Sequence, residues 1–263
     1  MRAVRYNARV DALLEATSRA EGRHFWFAGF RSFVEPLLAA AAGGRSNLRL
    51  LDCGCGTGAN LALLGRAGRA FGFDLSRRGL RLARQAGHPR IARATVEALP
   101  FPDATFDVVT SFDVIYALPE KTEADALAEM HRVLRPGGAL LINVAAMPIL
   151  RGNHSVLSEE LRRYTRRSLR SVVERAGFAI ARLTYTNASL FPLMLFVRAA
   201  QRLIGLAATP EHAGLEIAPP PPLVNAALTG LLRVEASVVR RVNMPFGSSL
   251  LCLARKSAGL SGR

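Results

Sequence analysis

From residue 48 onward, short aliphatic runs and helical patterns alternate along the chain. The runs at 48–53, 70–74, 106–111 and 139–145 read as strands buried on both faces. Helical patterns fall between them: one begins near Ala59, one follows Ser76, a serine placed as an N-cap, and one covers 121–134. The last stops at Arg135-Pro136-Gly137-Gly138, a combined breaker. A helix over 165–176 closed by Gly177, a strand over 179–186 and a final strand over 248–254 complete the series. Such alternation predicts an α/β fold with a Rossmann-like, doubly wound, mostly parallel sheet.

Two regions depart from that rhythm. Before it, Val10, Leu13 and Leu14 recur at helical spacing and 25–38 is rich in aromatic and aliphatic residues, ending in the loose Ala-Ala-Gly-Gly of 41–44. Residues 1–45 therefore read as a helical N-terminal lid, and 46–187 as the ligand-binding core. Residues 188–247 read as a helical insertion that forms the acceptor pocket, ahead of the last strand and tail, 248–263. It holds an apolar helix over 191–206 carrying Arg198 and Arg202, the Pro219–Pro222 run, and a second helical stretch over 224–242. The proline run reads as a stiff connector or a polyproline ligand. The basic apolar helix either lies on a membrane surface, lines an apolar substrate pocket, or packs on the core with its arginines outward.

Composition narrows the class. With 263 residues, half of them hydrophobic, the chain is too apolar to be disordered. Its longest uncharged stretches, 183–197 and 217–232, are shorter than the about 20 residues of a bilayer span, so no transmembrane segment is expected. The arginine-bearing start has no secretory apolar core, which points to the cytoplasm. Three cysteines make no disulfide framework, and Cys53 and Cys55 lack the further ligands a metal site needs, so no metal is expected. The net charge of +15 would attract nucleic acid, anionic lipid or an acidic substrate. Yet Lys121 and Lys256 are the only lysines, a bias that also fits a GC-rich genome and a solvated arginine surface.

The chemistry concentrates at Asp52-Cys53-Gly54-Cys55-Gly56-Thr57-Gly58, where the first strand ends. Its glycines alternate, unlike the G-x-G-x-x-G that delivers helix N–H groups to a pyrophosphate. A leading carboxylate would repel phosphate and suits a cationic ligand. Asp74, 22 residues on at the end of the second strand, can accept both hydroxyls of a ribose. A neutral-to-cationic nucleoside satisfies both features.

With these residues the chain resembles the class I S-adenosylmethionine-dependent methyltransferases, in the small-molecule branch with a methyltransferase-11-like domain. The matching blocks are Asp52 to Gly58, Phe73-Asp74-Leu75-Ser76, Glu97-Ala98-Leu99-Pro100-Phe101 with Phe106-Asp107-Val108-Val109, and Arg132-Val133-Leu134-Arg135-Pro136-Gly137-Gly138, covering about 48–145. The outer segments resemble a bacterial subgroup at His24-Phe25-Trp26-Phe27, Gly152-Asn153-His154, Arg162-Arg163-Tyr164-Thr165 and Pro245-Phe246-Gly247-Ser248. The resemblance implies a seven-stranded sheet and S-adenosyl-L-methionine as cofactor, with S-adenosyl-L-homocysteine as product. It assigns Asp52, Gly54, Cys55, Gly56 and Gly58 to the methionine end, Asp74 and Leu75 to the ribose, and Thr95 and Val96 to the adenine. Thr95 stands where the family often has an aspartate. Arg31 takes the place of an arginine that holds the methionine carboxylate in some relatives, and Ser111, Phe112 and Asp113 would flank the sulfonium.

The resemblance also bears on the acceptor. Ala117 and Glu160 stand where relatives carry histidines, which leaves His154, Tyr164 and Asp113 as the candidate catalytic residues, each with an alternative reading as a packing or capping group. Trp26, Phe27, Tyr116, His154 and Phe191 are the expected acceptor contacts. The expected reaction is methyl transfer to a small organic acceptor with an apolar or aromatic portion, as in secondary metabolism. The fourth strand lacks the Asn-Pro-Pro-Tyr-type turn of enzymes that methylate DNA bases, so DNA is not expected. An RNA methyltransferase, favoured only by the charge, and a non-catalytic cofactor-binding partner subunit are the alternatives. Peripheral membrane contact and a homo-oligomer both stay open.

Overall fold

The computed structural model describes residues 8–151, 159–203 and 218–258. Helices α1 (Ala8–Ala20) and α2 (Phe25–Ala42) precede the alternating core. The core runs β1 (Leu48–Cys53), α3 (Ala59–Leu64), β2 (Gly68–Asp74), α4 (Arg77–Gln85), β3 (Ile91–Arg93), β4 (Phe106–Phe112), α5 (Glu120–Val133) and β5 (Leu134–Ala145). Then come α6 (Arg166–Arg175), β6 (Phe178–Thr186), α7 (Phe191–Leu203), α8 (Pro222–Val239) and β7 (Ser249–Lys256).

The seven strands form one sheet in the order β3-β2-β1-β4-β5-β7-β6, parallel throughout β1 to β5, with β7 antiparallel to both its neighbours. Alternate residues of each central strand feed opposite cores. Leu51, Val109 and Leu140 face a cluster shared with Leu127 and Met130 of α5 and Leu169 and Val173 of α6. Leu50, Val108 and Leu141 face one shared with Phe33, Val34 and Leu37 of α2 and Leu232 of α8. Burial on both faces is why these strands read as continuous apolar runs.

Three expectations change. The Arg135-Pro136-Gly137-Gly138 breaker does not separate helix from strand: β5 already pairs at Leu134 with Phe106, and the register next resumes at Ala139 with Val108, so the breaker bulges out of the strand. The Ala-Ala-Gly-Gly stretch is not loose, because α2 continues to Ala42 and ends on Gly43 in the left-handed conformation, its N–H bonded to the carbonyl of Ala39. The predicted lid is two different things. α2 is a core helix with Phe33, Val34 and Ala41 buried, whereas α1 brings Leu14 against Gly56 and Gly79.

The insertion is anchored onto that core helix. Gly29 of α2 lets Leu232 of α8 come so close that an added Cβ would stand 2.4 Å from its Cδ1. Asn225 of α8 accepts from the Phe25 N–H at 2.8 Å and so caps α2 from 200 residues away.

Candidate active site

The order reverses direction at β1, whose neighbours β2 and β4 run out to opposite edges of the sheet. Open α/β sheets bind ligands outside the carboxyl ends of strands at such a switch point. Three carboxylates gather there: Asp52 from β1, Asp74 from β2, and Asp113 just beyond β4.

Asp52 is 1% exposed. Its Oδ1 accepts from the Thr110 hydroxyl at 2.6 Å, and Oδ2 has no partner among the described residues. Burial, reinforced by nearby Asp74 and opposed by the Thr110 bond, pushes its carboxyl up to about 7. The Ser111 hydroxyl, also buried, lacks a partner among the described residues as well. An orphaned buried carboxylate oxygen calls for a donor or a cation.

The glycine loop is shaped for close approach. Gly54 has φ 79°, and a Cβ there would stand 2.4 Å from Cγ2 of Val114. The N–H groups of Gly54 and Cys55 both donate to the Phe73 carbonyl at 2.9 Å, which ties the loop to β2. Asp74 accepts from the Gly56 N–H at 2.8 Å and from the Ser76 N–H at 2.7 Å. Burial raises its carboxyl against those stabilising bonds. Burial also raises the thiols of Cys53 and Cys55, which stay neutral packing groups. No metal-binding cluster is present among the described residues.

Helix α1 lies across this loop. Leu14 is the side chain a Cβ would meet, at 3.1 Å, at both Gly56 and Gly79. Polar latches flank it: Ser76 donates to Asp11 at 3.0 Å, Thr57 to Glu21 at 2.7 Å, and Arg78 pairs with Glu15 at 2.7 Å. Arg31, the expected carboxylate ligand, donates to the Glu21 carbonyl at 3.2 Å and so braces the end of α1.

On the other side of the switch point, Asp113 has φ 60°, a left-handed conformation uncommon outside glycine and frequent at functional sites. Asn143 of β5 fixes it, donating from Nδ2 to Oδ1 at 2.9 Å and accepting the Asp113 N–H at its carbonyl. The side chain meets solvent although protein crowds around it. That crowding raises its carboxyl, with Glu160 adding to the effect and Asn143 and Arg163 opposing it. Phe112, one residue earlier, packs edge-on against Phe30 of α2 at 5.1 Å.

The remaining expected residues are distributed more widely. Tyr164 is 2% exposed, and its hydroxyl donates at 2.6 Å to Glu123, which also takes Arg162. Burial and Glu123 raise its phenol, an arrangement suited to a post that supports the wall. Glu160 is likewise paired, with Arg163 at 2.7 Å. Tyr116 and Val96 are buried in the α5-side core, and Thr95 forms an isolated bridge with Ala98. Leu75 accepts from Arg93 at its carbonyl. Trp26 packs against the α2-side core and Phe27 against Ala20 of α1, while Phe191 meets Phe246 at 5.4 Å. His154 lies outside the described residues. Thr110, Asn143 and Leu14 were missed by sequence reasoning; the first two announce themselves as polar residues inside apolar strands.

Fold and site together define a doubly wound α/β sheet with a buried, half-partnered carboxylate, Asp52, beside a glycine loop at its switch point. Residues 51–142 match the family model described as a methyltransferase domain, and this stretch is a class I S-adenosylmethionine-dependent methyltransferase domain. Over 121 residues the chain is 36% identical to the ubiquinone/menaquinone biosynthesis C-methyltransferase UbiE of Escherichia coli O1:K1, a match covering 41% of this chain and 47% of that protein. The chain thus spans about half the length of the curated relatives it matches. Among solved structures it is similar to phosphoethanolamine N-methyltransferase 2 of Haemonchus contortus, with TM-score 0.60 and 17% identity over 94% of this chain and 57% of that one. It is also similar to the [4+2]-cyclase SpnF, with TM-score 0.53 and 22% identity over 87% and 81%. At such identities these two likenesses concern the fold.

Proposed function

We propose that the protein transfers a methyl group from S-adenosylmethionine to a small organic acceptor with an apolar or aromatic portion. The observation that carries the reading is the buried, half-partnered carboxylate of Asp52 beside the glycine loop, with Asp74 one strand over. When bound, the cofactor supplies an electrophilic methyl group on a positively charged sulfur. Asp52 answers the positive charge of such a ligand, and the acceptor capacity that Asp74 keeps beyond its backbone bonds suits a ribose hydroxyl. α1 and Leu14 exclude water from the loop.

Methyl transfer depends chiefly on alignment, and a base is needed only if the acceptor must lose a proton. We assign that role to Asp113, a reading supported by the Asn143 bond that orients it and by its raised proton affinity, which makes its carboxylate a better acceptor at neutral pH. An aromatic acceptor agrees with the C-methyltransferase of ubiquinone/menaquinone biosynthesis that the chain resembles. The test is incubation with S-adenosylmethionine and a panel of phenols, quinols and aliphatic amines, following S-adenosylhomocysteine and the methylated product by mass spectrometry. Turnover of an aromatic member is expected. Turnover of RNA alone would favour the charge-based reading, and cofactor binding without any turnover would favour a partner subunit.

A further inference from the structure

Helices α7 and α8 violate the usual rule for a helix packed on a globular core. The inner face of α8 is ordinary, with Leu232, Ala236 and Val239 buried. Its outer face ought to be polar. Instead Leu223, Leu231, Val234 and Val238 line it at helical spacing, with Leu223 87% and Val234 66% exposed. On α7, Leu193 and Phe196 are exposed too, Phe196 at 71%. The only carboxylate of either helix, Glu235, turns inward and accepts from the N–H groups of Ala188 and Ser189 at 2.8 and 2.9 Å, just ahead of α7. The charges left on the outside of α8 and its C-terminal end are Arg233, Arg240 and Arg241.

We propose that α7 and α8 form a docking face that lies on a membrane leaflet carrying anionic phospholipid. An apolar stripe flanked by arginines, with no outward carboxylate, is the pattern of a helix lying in the interface. The flanking charges choose the occupant. A second copy of this chain would bring like-charged arginines together on two molecules of net charge +15, whereas an anionic lipid surface attracts them. α8 has the length and composition of a span, at 18 residues. Lying flat fits better: α8 is held to α2 through Leu232 and Asn225, and it carries Arg233 and Glu235 in its C-terminal half. The face binds lipid whether or not the protein transfers a methyl group.

Co-sedimentation of the full chain with unilamellar vesicles tests this, using phosphatidylcholine alone and phosphatidylcholine mixed with phosphatidylglycerol. Wild type should bind the mixed vesicles at least about tenfold more tightly than the neutral ones, a preference that added salt reduces. A Val234→Asp/Val238→Asp variant should lose about tenfold or more on the mixed vesicles, and Arg233→Ala/Arg240→Ala/Arg241→Ala should erase the preference for anionic lipid. Both sets of residues are exposed, so the thermal midpoint should hold; if the aspartates lower it, Val234→Ser/Val238→Ser takes their place. Absence of wild-type binding to mixed vesicles, or equal binding by the stripe variants, overturns the proposal. So does a vesicle-free dimer in sedimentation velocity that the stripe variants convert to monomer, since the face would then belong to a second copy.

Discussion

The carboxyl edge of β1, β2 and β4 and the outer face of α7 and α8 break opposite rules. At the sheet edge a carboxylate is buried with one oxygen unpartnered; on the insertion, phenylalanine and leucine side chains stand in water. Both are costly in an isolated molecule, the first through desolvation and the second through unburied apolar area. On the two readings proposed above, each is resolved by something outside the chain, and the kind of violation points to its chemistry. A buried, half-satisfied anion calls for a cation with donors, and a bare apolar stripe rimmed by arginine calls for an anionic apolar surface. The two regions meet through α2, which sends Phe30 to Phe112 near the site and accepts Leu232 of α8 over Gly29.

That contrast can be broken in several places. The largest expected effect is on turnover: Asp113→Asn should lower kcat by about 100-fold or more on an acceptor that must lose a proton, with cofactor affinity nearly unchanged. An equal loss in cofactor affinity would instead move Asp113 into the cofactor site. Next comes the packing between the regions. Leu232→Ala should cost about 2–5 kcal/mol in chemical denaturation, while Val234→Ser on the same helix should stay within about 0.5 kcal/mol. Equal costs would mean that both faces of α8 are covered. Asp74→Ala should weaken S-adenosylhomocysteine binding by roughly 2–4 kcal/mol and leave vesicle binding untouched. The smallest effect belongs to the α1 latch: Thr57→Val, which leaves Glu21 without its 2.7 Å donor, should change cofactor affinity by about 1 kcal/mol, read by calorimetry.

What the sequence disclosed, and what it did not, follows the range of the interactions. The glycine loop, Asp52 and Asp74 were legible because each depends on a strand end and the turn directly after it. Ser76 was legible as a cap because its partner, the Gly79 N–H, is three residues away. The course of α1 over the loop was not, since Ser76 meets Asp11 across 65 residues. Nor was the cap that Asn225 supplies to α2. Strand β3, only Ile91–Arg93, is too short to show a period. The helical stripe Phe33, Val34, Leu37, Leu38, Ala41 could have marked α2 as core, but aromatic richness in 25–38 suggested a cover for the acceptor. In the insertion, composition revealed apolar helices with arginines, and only the packing against α2 shows which face is left bare.

Asp52 supplies the most direct measurement. Its carboxyl is held up to about 7 by burial, so in the free protein it takes up a proton that the unfolded chain would release near the ordinary carboxylate range. Between those two values the folded state binds more protons than the unfolded one, and Asp52 costs the free protein stability as pH rises through the window. A positively charged ligand favours the ionised form and reverses that cost. Calorimetric titration with S-adenosylmethionine, in buffers of different ionisation enthalpy below and above about 7, should show a proton released on binding below that value and an affinity that rises with pH toward it. Asp52→Asn should abolish the release and bind more weakly. If the wild type binds without proton release, or if Asp52→Asn binds with wild-type affinity and pH dependence, then Asp52 does not receive the cation and the site has been read wrongly.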